Sequence, residues 1–126
     1  MKSILFAKRV FLIAGILGLI ILIPQLFLEN RINADFPPPI THPEQFYGFT
    51  GIAIAWQIMF LIISGDPVRY RPAMIPSVME KIAFGGTCLV LFLQNRLALQ
   101  IFAVAMLDLI WMVLFFISWL RTPKQN

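Results

Sequence analysis

Three ionisable side chains, Glu80, Lys81 and Asp108, and two neutral polar ones, Gln57 and Thr87, stand inside long apolar stretches of this 126-residue chain. In an apolar medium each of them needs a partner, so chemistry or recognition is read first from them. A carboxylic acid there can hold a proton, accept a hydrogen bond or meet a ligand. Three readings of Asp108 follow. It is a structural acid hydrogen-bonded to Gln57 or Thr87, a proton-carrying or ligand-binding acid in a cavity, or a contact between chains. Lys81 has a stem long enough to snorkel to lipid headgroups, or to reach toward Asp108 on an antiparallel neighbour. Glu80 stands three residues after Ser77, the spacing of a capping box.

A second group of polar residues lies between the apolar stretches. Asp66-Pro67-Val68-Arg69-Tyr70-Arg71-Pro72 sets two guanidinium groups and a phenol between prolines. Basic groups favour anionic lipid and Tyr favours the headgroup level, so Arg69, Tyr70 and Arg71, with Glu80 and Lys81, are candidate interfacial residues. A lipid phosphate or a cytoplasmic partner is the alternative target of the two arginines. Asp35, His42 and Glu44 offer one imidazole and two carboxylates at irregular spacing, which is a poor metal set. Neither a metal nor a cofactor is expected.

Other chemistries fall away on residue type. Bis-His haem ligation needs imidazoles within the spans, and His42 sits in a loop. Cys88 has no second cysteine for a disulfide or for thiol exchange. A Ser–His hydrolase would need His42 carried to a buried serine. The first apolar run has no acid, unlike that of the small multidrug exporters.

The elements that must position these residues follow from composition. The chain is 60% hydrophobic and 13% charged, against about half and about a quarter in soluble domains. Soluble enzymes, nucleic-acid binders and disordered chains are disfavoured together. Spans are expected at about 10–28, 44–63, 78–94 and 98–120. The first is long and lacks a following small-x-small site, so it reads as a retained helix, loosened by Pro24 at its outer end. Pro37-Pro38-Pro39 favours an extended connection. Thr41 and Glu44 have capping-box spacing, and Ser64-Gly65-Asp66-Pro67 reads as a Gly C-cap followed by a breaker. No run alternates as a barrel strand does. The expected fold is all-α, one domain, an antiparallel four-helix bundle in a membrane.

Register brings the polar residues together. Thr50, Gln57 and Ser64 recur every seven residues, as do Glu80, Thr87 and Gln94, and a seven-residue step is nearly two helical turns. Gln57, Thr87 and Asp108 each lie about 15 Å from a helix end at about 1.5 Å per residue. They are expected to form one midplane layer, with Gly18 leaving room. Gly51 with Ala55, and Ala14 with Gly18, are small-xxx-small pairs suited to close approach within the bundle or between copies.

The Asp66–Pro72 loop followed by Glu80-Lys81 resembles a group of small bacterial four-span membrane proteins. Phe36-Pro37-Pro38-Pro39-Ile40-Thr41-His42-Pro43-Glu44 and Ala55-Trp56-Gln57 extend the resemblance over most of the chain from residue 34. That group has no assigned activity, so no functional residue is carried over. The net charge of +4 then reads as orientation. Lys2, Lys8, Arg9, Arg69, Arg71, Lys81, Arg121 and Lys124 fall on one side, and Arg31 and Arg96 on the other. This bias puts both termini in the cytoplasm of a bacterial cell, with the chain in its inner membrane.

Membrane lipids are the expected partners, with a second copy or another membrane protein as further candidates, and no nucleic acid. The leading function is a non-enzymatic subunit, a scaffold or a binder of a lipophilic molecule. The alternative is an embedded enzyme or proton-coupled carrier using Asp108. A packed, dry layer favours the scaffold, and a sizeable cavity reaching Asp108 favours the alternative. A C-terminal reporter active only outside the cytoplasm should stay silent; a bright signal overturns this topology.

Overall fold

Apolar runs bounded by prolines and turn residues become helices in the computed structural model, which describes residues 2–126 and side chains from Ile4 onward. The side chain of Lys2, counted among the basic residues above, lies outside the described ones. The order is α1 (Lys2–Gln25), α2 (Glu29–Asp35), α3 (Pro43–Gly65), a 3-10 turn at Arg71–Ala73, α4 (Met74–Leu93) and α5 (Leu99–Arg121). Among the described residues α1, α3, α4 and α5 are long and apolar enough to cross a membrane. Only 17 to 28% of each crossing window is buried against the rest of the chain.

The helix boundaries differ from expectation for local reasons. Helix α1 begins at Lys2 rather than near Val10, because Leu5, Ala7, Lys8 and Arg9 are good helix formers and nothing before Val10 breaks the turn. It ends at Gln25, just past Pro24, whose missing N–H and ring cannot continue a helix. The connection between α1 and α3 holds the short helix α2, supported by Arg31 Nε to Asp35 Oδ2 at 3.0 Å. Tyr47 donates to Glu29 at 3.0 Å and ties α2 to α3.

Neither capping box forms. The residue before α3 is His42, with no side-chain cap bond, and its Nδ1 lies 3.1 Å from Glu44 Oε1. Helix α4 starts at Met74, so Ser77 is already inside it and bonds back to the Ala73 carbonyl at 2.7 Å. Pro76 fits because an N–H in the first turn has no helical partner to lose. Gly65 closes α3 from inside the helix; Asp66 is the extended cap residue, as a residue before proline tends to be. The turn after α4 uses Asn95 at φ 59°. Arg96 N bonds to Leu91 O at 2.8 Å and Asn95 N to Phe92 O at 3.0 Å, the Schellman pairing that satisfies the last carbonyls.

Packing links α1 to α3 and α5, and α4 to α5, while α3 and α4 touch sparsely. Small residues set the close approaches. A methyl at Gly15 would stand 2.9 Å from the Gln57 carbonyl oxygen, and one at Gly85 would stand 2.8 Å from Leu109 Cδ2. Ala14 is buried, whereas Gly51 and Ala55 are exposed on α3 and Gly51 has open space beside it. Phe11, Phe60 and Phe115 are fully buried and meet as a triad. Phe11 stacks on Phe115 at 4.2 Å between centroids, and Phe60 meets Phe115 edge-on at 4.8 Å. Such ring geometries add about 0.5–1.5 kcal/mol per pair beyond area burial.

This core lies toward the ends bearing Lys8, Arg9, Arg69, Arg71 and Arg121, joined by Ala7, Val10, Ile63 and Met74. Arg71 fastens the same end. Its Nε donates to the carbonyls of Thr122 at 2.7 Å and Trp119 at 3.2 Å, and the guanidinium lies 4.7 Å from the Trp119 ring centroid. A cation thus satisfies carbonyls left free at the C-terminus of α5, where the helix dipole also favours it. Arg71→Ala should lower stability by about 2 kcal/mol, measured as the shift in unfolding midpoint of the purified protein; an unchanged midpoint contradicts this role.

Candidate functional site

Helix α4 buries Met74, Ser77, Lys81, Gly85 and Cys88. The spacing of three, four, four and three is one face of a helix. Its middle member is the ammonium of Lys81, whose residue is only 6% exposed. Nζ lies 3.5 Å from Asp108 Oδ1 on α5 and 3.7 Å from Glu80 Oε2. The first distance is a long hydrogen bond and the second is attraction without one. The Phe60 ring stands 5.2 Å below Nζ, near enough for a cation–π contribution.

Helix α3 buries Thr50, Ala53, Gln57, Phe60 and Ile63 on one face. Gln57 is 2% exposed. Its Nε2 donates to the Ala53 carbonyl at 3.0 Å, while its Oε1 is buried with no partner. Gly18 of α1 makes room for this amide, since a Cβ there would overlap it.

These groups share a cavity of about 330 Å³ between α1, α3, α4 and α5. Its polar wall is Gln57, Glu80, Lys81 and Asp108, with Gln25 toward one end. The rest is apolar and aromatic, including Phe49, Phe84 and Trp111. Thr87 is not part of this wall. It is exposed and lines a second pocket on the α3–α4 seam, of about 740 Å³. The expected Gln57–Thr87–Asp108 layer is therefore corrected: Gln57 and Asp108 face one cavity, and Lys81 takes the third place. The stripe of Glu80 and Thr87 exists, but it faces the seam rather than the centre.

Glu80 borders both cavities, together with Phe49, Ala53 and Phe84. It lies within helix α4, past the first turn where a capping carboxylate would act. Phe49 and Phe84 meet at 5.7 Å between centroids and form part of the partition. Sequence spacing did not mark these two phenylalanines, because their role depends on how far α3 stands from α4. Arg71 Nε is committed to the α5 carbonyls. Arg69 is exposed, with its guanidinium 5.5 Å from the half-buried Tyr70 ring, and its backbone N–H donates to Asp66 Oδ1 at 3.2 Å.

The polar wall carries two carboxyl groups to one ammonium. With all three ionised the set is one charge negative, and neither contact to Lys81 is short. Such a site can hold a proton, bind a cation, or present hydrogen-bond acceptors to a ligand. The chain matches no family model, no curated protein and no solved structure.

Lys81→Met should destabilise the folded protein by about 3 kcal/mol, because it leaves two carboxyl groups without their cation. The double variant Lys81→Met/Asp108→Leu should recover part of that loss. Chemical unfolding of the purified variants reads both, and equal stability of Lys81→Met and wild type refutes the pairing.

Proposed function

We propose that this chain is a multi-pass membrane protein, an antiparallel four-helix bundle of the bacterial inner membrane, that binds a small lipophilic molecule in the Gln57–Lys81–Asp108 cavity. The observation that carries the reading is a cavity with mostly apolar walls, lined in part by Gln57, whose buried Oε1 has no hydrogen-bond donor. A filled scaffold core has no use for such an atom, since an unmet buried acceptor costs about 1–3 kcal/mol. The volume sits at the lower end of the usual range for small-molecule sites, about 300–1,000 Å³.

Membrane embedding is supported by the helices themselves. Ile20, Ile52, Val90, Leu99 and Ile110 are exposed on four different helices, which suits lipid and not water. The orientation rests on the charge bias, with the two termini and the Asp66–Pro72 loop on the basic, cytoplasmic side. Lipids are then the immediate partners. The exposed Gly51–Ala55 face is where a second copy or another membrane protein would approach. The resemblance to small bacterial four-span proteins fits this picture.

A second reading is favoured by one observation: the cavity reaches Asp108. On that reading Asp108 is the acid of a proton-coupled carrier or embedded enzyme, with Lys81 adjusting its charge.

Leu107 lines the cavity from α5 and is half-exposed at its rim. Wild type and Leu107→Trp, purified identically and extracted for mass spectrometry, should differ in retained small lipophilic compounds, which the tryptophan displaces. Identical profiles refute the binding site. On the second reading Asp108→Asn keeps the retained compound but abolishes proton movement in reconstituted vesicles.

A further inference from the structure

We propose that the ligand of this cavity is a lipophilic ammonium ion, a protonated amine on a compact apolar body, received by Asp108, Glu80 and Gln57. This deepens the binding reading above and rests on it.

The first argument is the kind of hydrogen-bonding group left over. Two residues that line the cavity carry a buried acceptor with no hydrogen-bond partner, Gln57 Oε1 and Glu80 Oε2, the latter 3.7 Å from Lys81 Nζ. Among the described residues the one buried donor without a hydrogen-bond partner is Trp119 Nε1, which is not among the lining residues. The donors of Lys81 are drawn toward Asp108 and Glu80. A ligand that completes this wall therefore brings N–H or O–H donors.

The second argument is charge. With all three ionised, Glu80, Lys81 and Asp108 set one cation against two anions in the wall. Removing an unbalanced carboxylate from water is costly unless a counter-charge comes with it. A cationic donor meets both needs at once. An alcohol supplies a donor and leaves the imbalance. A carboxylate ligand adds a third negative charge. A trimethylammonium group balances charge but brings no N–H for Gln57. Phe49, Phe84 and Trp111 add ring faces that attract cations and repel anions. The apolar remainder of the wall requires an apolar body, which an inorganic cation lacks.

Four eight-carbon probes separate these cases: octylammonium, octyltrimethylammonium, octanol and octanoate. Each is titrated into the full chain in non-ionic detergent, and binding is followed by calorimetry. Octylammonium should bind tightest and octanoate weakest. Asp108→Asn should weaken octylammonium by roughly tenfold or more and leave octanol unchanged. Should Asp108→Asn lose its helical circular dichroism, Glu80→Gln, which keeps the Lys81–Asp108 pair, replaces it with the same expectation. Leu107→Trp should block octylammonium. Octanol binding as tightly as octylammonium, or octylammonium indifferent to the carboxyl substitution, overturns the ammonium assignment and leaves the cavity reading intact. No binding by any probe, or binding untouched by Leu107→Trp, overturns the cavity reading and this inference with it.

Discussion

An ammonium group held among apolar helices has to be met by opposite charge, and Lys81 is met from two helical positions. Asp108 approaches from α5 and Glu80 from the preceding residue of α4. The attraction is large because little water intervenes, and desolvation of each charge is large for the same reason. The pair therefore contributes register more than net stability. With Lys81 on the buried face of α4, α5 has to present Asp108 at the matching level. The small residue Gly85 then permits the close α4–α5 contact that keeps the two helices there.

The centre of the helix assembly is aromatic toward one end and hollow beyond it, and the difference follows from side-chain size. Toward the basic end, Phe11, Phe60 and Phe115 occupy the centre and Arg71 ties the loop to the end of α5. One step away, the central positions pass to Ala14, Gly18 and Ala53, which cannot fill the same width. The sparse contact between α3 and α4 widens the gap further. The helices are held at one end by aromatic packing, which leaves the other free to enclose polar groups without having to be a tight core.

The helices were legible because hydropathy and proline placement dominate their boundaries, and the apolar runs needed no tertiary information. Gln57 was legible for the same reason: its stripe on α3, counted in steps of three and four, is the buried one. Lys81 was visible as a partner for Asp108, though not as the centre of the site. Thr87 was misplaced because a seven-residue stripe fixes residues relative to one another but not the direction in which the helix is turned. The α4 face that is buried is marked by Ser77, Gly85 and Cys88, small residues at the correct spacing, and that signal outweighs polarity. Glu80 was read as a cap because the start of α4 was set too late. The tie from Arg71 to α5 was not legible, because nothing local reveals that the carbonyls of α5 end beside it.

A helix assembly selected for stability alone would have little reason to keep this polar wall. Replacing buried ion pairs by apolar groups of similar volume is often neutral or stabilising, and an orphaned amide oxygen is a standing cost. The chain nonetheless sets Gln57, Glu80, Lys81 and Asp108 around one space and removes bulk from Gly18 to admit the amide. Lys81 explains one carboxyl group, since a buried cation requires it. Its single charge leaves the two carboxyl groups unbalanced when both are ionised, and Gln57 Oε1 has no hydrogen-bond donor. Glu80 Oε2 and Gln57 Oε1 are both hydrogen-bond acceptors, and an incoming donor would satisfy either. Stability explains the aromatic end of the molecule. The surplus of acceptors at the other end is what the proposed ligand would meet.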